Sequence, residues 1–216
     1  MNRKLFVIGT GGFAKEVAQL AATIQAANAT WSSIEYLCES PNDISISMPF
    51  GSVVGTDKLL ESLDTDADFV IGIGNPSVRR KIAARLSANI RLHAPNLIHP
   101  RADIDVTQVR LGVGNIITSG TVFTCAIEIG DHNVFNLNST VGHDCHIGSF
   151  NVINPGCCLS GHTTLGDACL LGTGCQVLEG LSIASNSTVG GGALVAKSIK
   201  DAGTYVGVPA KLLASK

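Results

Sequence analysis

From Leu111 to Val195 an apolar residue recurs at every sixth position without a miss: Leu111, Ile117, Phe123, Ile129, Phe135, Val141, Ile147, Ile153, Leu159, Leu165, Leu171, Val177, Ile183, Val189 and Val195. Two positions before most of them stands a small side chain, as at Thr121, Ser139, Cys145, Cys157, Thr163, Cys169, Cys175, Ser187 and Ala193. Glycine often follows, as at Gly112, Gly130, Gly142, Gly148, Gly166, Gly172 and Gly190. A period of six matches neither the 3.6-residue helix nor the two-residue strand. It predicts flat sides of one hexad each, three to a coil, stacked as a triangular parallel β-helix. The apolar residue then points into the column, the small residue fits beside it, and glycine helps the backbone bend at the corner. The fifteen hexads make five coils, a prism about 24 Å tall at roughly 4.8 Å per stacked strand. Chance spacing in a β-sandwich is the alternative, and an unbroken run of this length weighs against it.

Residues 1–90 read differently. The apolar run Leu5, Phe6, Val7, Ile8 is a buried strand, Gly9, Gly11 and Gly12 make a turn, and residues 15–27 form a helix with Val17, Leu20, Ala21 and Ile24 on one face. Such a turn leaves N–H groups at a helix N-terminus, where a phosphate can sit. The glycines lack the third member of GxGxxG, so a tight turn and a ligand cradle are both open. Ser33 to Cys38 is a second strand leading to Glu39. Thr56 and Asp57 are placed to cap a helix through Leu63, residues 69–75 make a third strand and glycine turn, and residues 76–87 a helix opened by Pro76. Alternating strand and helix predicts a small Rossmann-like α/β domain with its ligand beyond the strand ends. Residues 91–110 are the connection and a lead-in coil, where Ile104 to Leu111 spans seven positions instead of six. Residues 111–200 are the β-helix and 201–216 a tail that leaves the repeat.

Composition agrees with a column of small and aliphatic side chains: of 216 residues 5% are aromatic, 15% charged, and 24 are glycine. A net charge of -2 gives no electrostatic reason for a nucleic-acid or anionic-membrane partner. The apolar run after Arg3 and Lys4 stops at Gly9, too short for a signal peptide, and no stretch could span a bilayer. The seven cysteines include no CxxC pair, and Cys145, Cys157, Cys169 and Cys175 occupy small inward positions. A reduced, cytoplasmic protein is expected, and a zinc site of Cys145 with His143 or His146 competes poorly with packing, so no metal is expected.

Four motifs converge: G-T-G-G-F from Gly9, I-G-I-G-N-P-S-V-R-R-K from Ile71, V-G-H-D-C-H-I-G from Val141 and Y-V-G-V-P-A-K from Tyr205. Together they resemble the NeuD/PglD-like family of sugar acetyltransferases, over essentially the whole chain. The resemblance implies a left-handed β-helix, a homotrimer, and acetyl-CoA as donor to an amino or hydroxyl group of a sugar, often nucleotide-linked. Acyl transfer needs a base and donors for the thioester oxygen. Of six histidines, His93 and His99 fall in the connection and His132 at a corner suited to solvent. His143 precedes Asp144, and the resemblance makes them base and partner, with His146 and His162 as fallback bases. It also implies Gly161 as an N–H donor to the thioester, Thr173 and Gly191 along the pantetheine, and Lys211 near the coenzyme phosphates. Gly9, Gly11, Gly12, Phe13, Glu39, Gly74, Asn75 and Arg79 then form the acceptor-nucleotide site. Many relatives carry His at the position of Phe13 and some a second His at that of Asn151, which as Asn takes no proton near pH 7.

The expected function is an acetyl-CoA-dependent N-acetyltransferase acting on a nucleotide-linked amino sugar in surface-polysaccharide or glycan biosynthesis. O-acetylation of a sialic-acid-type sugar and a non-enzymatic scaffold or nucleotide-binding module are the alternatives.

Overall fold

The computed structural model describes residues 3–213. Its first part is a six-stranded sheet of β1 (Lys4–Ile8), β2 (Ser33–Cys38), β3 (Ser47–Met48), β4 (Gly51–Thr56), β5 (Ala67–Ile71) and β6 (Leu92–His93), in the order β3-β4-β2-β1-β5-β6. All pairings are parallel except β3 with β4. β1 and β5 are apolar runs because helices or the prism cover both faces of the sheet. Helix α1 (Gly12–Asn28) begins three residues before the expected start, since Gly11 in extended conformation serves as its N-cap. The expected helix after Thr56 is a 3-10 helix, Asp57–Ser62, and the Thr56 side chain makes no capping bond. β5 stops at Ile71 because Gly72 must let α1 pass: a Cβ there would lie 2.9 Å from Ala14 Cα. Helix α2 (Pro76–Leu86) is capped by Asn75, whose Oδ1 accepts from the N–H groups of Ser77 and Val78.

The sheet runs past the expected boundary at residue 90, through β6, and the lead-in coil starts at Leu97–Ile98, paired to Ile116–Ile117. The one extra residue between Ile104 and Leu111 is absorbed by a turn in which Asp105 Oδ1 accepts from Thr107 N–H and Oγ1–H.

The hexads form a left-handed parallel β-helix with three faces. The first face stacks Val122–Phe123, Thr140–Val141, Cys158–Leu159, Gln176–Val177 and Leu194–Val195. The second runs from Val109–Leu111 through Ile127–Ile129, His146–Ile147 and Thr164–Leu165 to Ser182–Ile183. The third begins at Leu97–Ile98 and continues through Ile116–Ile117, Val134–Phe135, Val152–Ile153, Leu170–Leu171 and Thr188–Val189. From Val109 onward each strand of these faces pairs with the one eighteen residues on, as Thr140 does with Cys158, whereas Leu97 pairs nineteen residues on with Ile116. The sixth-position residues make one core cluster, with Cys145, Cys157, Cys169 and Cys175 fully buried among them. These thiols also donate to carbonyls, Cys145 to Ser160 and Cys157 to Gly172. Burial pushes Cys157 up to about 11 and Cys175 to about 12, so they stay neutral fillers.

A buried asparagine ladder runs up the third face. The Oδ1 atoms of Asn96, Asn115, Asn133 and Asn151 accept from the next coil's N–H groups, those of Asn115, Asn133, Asn151 and Cys169, at 2.7–2.9 Å. Asn151, where some relatives carry a second His, is thus a fully buried ladder rung. Outside the ladder, Leu97, Ile116, Val134 and Val152 point outward and pack with Ala14, Val17, Ala18 and Ala21 of α1, joining the two parts.

The tail leaves the six-residue repeat but stays on the prism. Thr204–Val206 adds a parallel strand to Thr188–Val189, and Lys211–Leu212 folds back against it, closing the column end. Residues 214–216 of the expected tail, and Met1 and Asn2, lie outside the described residues.

Candidate active site

His143 and Asp144 sit at the corner between the first and second faces. Adjacent side chains on a flat strand point to opposite sides, but Asp144 has φ of 57°, a left-handed corner conformation. Asp144 Oδ2 therefore reaches back to His143 Nδ1 at 2.8 Å. This bond makes Nδ1 the proton-bearing nitrogen and leaves Nε2 as the acceptor. One coil up the same corner carries Gly161 and His162. A Cβ at Gly161 would fall 2.6 Å from both Cε1 and Nε2 of His143, so the glycine is what allows the ring to lie there. Gly161 is buried, and its N–H has no acceptor among the described residues. His162 stands edge-on to His143, with ring centroids 5.1 Å apart, and its Nε2 is 3.7 Å from Asp144 Oδ2. His146 lies on the flat second face and pairs instead with Glu128, itself bound to Arg110. Cys145 points into the core, which removes it from any zinc site with these histidines.

Thr173 and Gly191 stack at a different corner, between the third and first faces, where Gly192 N–H donates to Thr173 O at 2.8 Å. The tail comes to the same edge: Gly207 O and Ala210 N–H bond Leu194 at the top of the first face, and exposed Lys211 follows. The first face thus separates His143 and Gly161 from Thr173, Gly191 and Lys211.

A cleft of about 820 Å³ opens at the carboxyl ends of the sheet strands. Gly9, Gly11, Gly12, Phe13, Glu39 and Gly74 all line it. A Cβ at Gly11, Gly12 or Gly74 would meet nothing within 4 Å, so packing does not require glycine there. What the missing side chains leave is open backbone at the start of α1 facing the cleft, with room for a ligand beside it. Gly9, with φ of 112°, is the turn's structural member. Sequence reasoning missed Asp57, Lys58 and Arg85 on the cleft wall. Arg85 binds Asp57 and Glu61, so Lys58 is the wall's cation outside these ion pairs.

Two expectations need correction. Asn75 caps α2 beside the cleft, and Arg79 is not in it: the guanidinium is fully buried between the two parts of the molecule. Arg79 Nη1 donates to the carbonyls of Ile71 and Ile73 at 2.5 and 3.1 Å, while Nε and Nη2 donate to His132 O at 3.1 and 2.9 Å. Burial without a carboxylate pulls it down to about 9, still charged at pH 7. His132, expected in solvent, is buried with its ring between Phe69 and Phe150. Desolvation first, then the Arg79 charge, push it down to about 4, so it is neutral at pH 7.

Similarity to known proteins agrees with this arrangement. The model of the PglD N-terminal domain matches residues 4–86, the part that holds the cleft. The acetyltransferase domain of PglB from Neisseria gonorrhoeae FA1090 is 34% identical, with a TM-score of 0.90 over 98% of this chain and 100% of that one. The chain belongs to the NeuD/PglD-like family of sugar acetyltransferases. PerB from Caulobacter crescentus, solved with CoA and GDP-perosamine, is 27% identical, with a TM-score of 0.87 over 98% of this chain and 97% of that one. WeeI from Acinetobacter baumannii AYE is 26% identical, with a TM-score of 0.84 over 98% and 100%. As a member of this family the chain is an acetyltransferase enzyme, which sets aside the non-enzymatic scaffold. Among the described residues no helix is long and apolar enough to cross a membrane.

Proposed function

We propose that this acetyltransferase moves the acetyl group of acetyl-CoA onto the amino group of a nucleotide-linked sugar, in cytoplasmic glycan biosynthesis. The observation that carries the reading is the His143–Asp144 pair at 2.8 Å, set against the buried N–H of Gly161. Acetyl-CoA supplies the thioester. His143 Nε2 takes the proton of the attacking amine, and Asp144 stabilises the imidazolium that results. Gly161 N–H donates to the thioester oxygen as it gains charge. His143 then returns the proton to the departing thiolate, which closes the cycle without an acyl-enzyme.

The backbone cradle at Gly11, Gly12 and Gly74 takes the diphosphate of the acceptor, with Glu39 placed for a ribose hydroxyl. Support for the acceptor class comes from PerB, a perosamine N-acetyltransferase solved with CoA and GDP-perosamine. Support for acetyl-CoA comes from the PglB acetyltransferase domain, solved with that coenzyme.

The assembly we propose is a homotrimer, and the placement of the parts supports it. Thr173, Gly191 and Lys211 lie across the first face from His143, and closed three-fold packing would bring one prism's edge beside another's base. Light scattering checks this, and a monomer at assay concentration would contradict the shared site.

The deciding experiment is mass-spectrometric detection of acetylated product from acetyl-CoA and UDP-, GDP- and dTDP-linked amino sugars, with His143→Ala in parallel. Product from one acceptor, lost in the variant, supports the reading. Acetylation of hydroxyl sugars alone would replace it with O-acetyl transfer. Undiminished product from the variant would move the base to another histidine.

A further inference from the structure

His162 takes no part in the transfer described above, yet it shares a carboxylate with the base. We propose that His143, Asp144 and His162 form a binding site for a divalent transition ion such as Zn²⁺, whose occupation switches acetyl transfer off. The ligand half of this proposal stands on geometry, and the inhibitory half rests on the function proposed above.

Asp144 and His162 have φ of 57° and 55°, and both occupy the corner that carries His143. The coils are locked together, with His162 N–H donating to His143 O at 2.8 Å. Asp144 Oδ2 lies 2.8 Å from His143 Nδ1 and 3.7 Å from His162 Nε2. One ligand atom from each residue falls within 4.8 Å of the other two. Tetrahedral zinc with bonds near 2.0–2.1 Å needs ligand atoms about 3.4 Å apart, so closure takes shifts of about 1 Å. All three side chains are about half exposed and free to make them. Two imidazoles and one carboxylate are an N/O set suited to zinc, copper or nickel rather than magnesium or calcium, with water in the fourth position.

The ion inhibits through the histidine tautomer. In the working enzyme Nδ1 carries the proton and Nε2 accepts. A metal on Nδ1 displaces that proton, and the neutral ring then carries its hydrogen on Nε2. The nitrogen that must accept the amine proton becomes a donor, and Asp144 is held by the ion.

The test titrates Co²⁺, read by its visible absorption, and Zn²⁺, read by calorimetry, into protein carrying Cys125→Ser. That background removes the exposed thiol one coil below His143. We expect one ion per chain, bound at least about tenfold more weakly by His162→Ala, and no change with His146→Ala. His162→Ala retains metal-free transfer, needs at least about tenfold more Zn²⁺ for half-inhibition, and chelator restores the parent's rate. Equal affinity in the parent and His162→Ala, or no binding by the parent, overturns the site. Zinc bound through His162 with transfer undiminished overturns the inhibition. The binding arm contains no substrate, so it reads the site even if no acceptor is found.

Discussion

Gly161→Ala tests the base through a single methyl group. The new Cβ would lie 2.6 Å from Cε1 and Nε2 of His143 and 3.0 Å from Nδ1. Ordinary contacts between such atoms begin near 3.5 Å, so the ring must retreat by about 1 Å. The present 2.8 Å bond to Asp144 Oδ2 then stretches past the usual hydrogen-bond range of about 3.2 Å. A misplacement of about 1 Å costs on the order of 100-fold in rate, or about 2.7 kcal/mol in the barrier. The fold is spared, because Gly161 does not use the left-handed region and the half-exposed ring swings outward into solvent. Stability is expected to stay within about 1 kcal/mol of the parent. The assay is kcat at saturating acetyl-CoA and acceptor, with thermal unfolding alongside. Gly161→Ala added to His143→Ala should cause little further loss, since both act on one group. A variant within threefold of the parent's kcat, or one that loses activity only by unfolding, would refute the reasoning.

His132 gives a pH prediction. Its folded pKa, about 4, lies below the unfolded value of 6.5, so between these values the unfolded chain binds the proton and the folded chain does not. Stability from this group is full above pH 6.5 and falls as pH drops toward 4, by at most about 3 kcal/mol. Urea unfolding from pH 7.5 to 4 checks it, and His132→Leu should flatten that limb; an equal slope in the variant would show that other groups cause it. Arg79→Met removes the donors to Ile71 O, Ile73 O and His132 O. It should cost about 2–4 kcal/mol and raise the acceptor KM more than that of acetyl-CoA. A variant as stable as the parent would mean that relief from burying the charge offsets the lost bonds.

The fold was legible where the chain repeats itself. Hexads report their own cross-section, because each coil has the same neighbours above and below, and the interior tolerates only aliphatic and small residues. The second strand was readable to the residue, Ser33–Cys38, because β-branched and aromatic residues end at a polar turn there. The joint between the parts was not. Arg79 and His132 meet across 53 positions, and nothing local tells a helix arginine bound for a carbonyl cage from one bound for a phosphate. A signal for the docking face was present in every third hexad. Ile116, Val134, Val152 and Leu170, eighteen apart, place a second apolar residue before the inward one, pointing out of the third face toward α1. Arg110, Glu128, His146 and Thr164 hold that place on the second face, which faces solvent.

Register also explains why one histidine–acid pair was readable and the other was not. Val141 is an inward residue, so His143 and Asp144 fall two and three positions later, at the corner where the left-handed backbone turns neighbours toward each other. His146 precedes inward Ile147 and sits on a strand, where its neighbours in sequence point the other way. Its acid therefore comes from the coil below, Glu128, eighteen residues back and 3.2 Å away. In this fold an adjacent pair is a pair only at a corner, and along a face the partner lies one full coil away. Counted by that rule, Asp144 faces both His143, its neighbour, and His162, one coil above itself. That convergence follows from the hexad register, and it is why the proposed base and the proposed metal ion would draw on the same carboxylate.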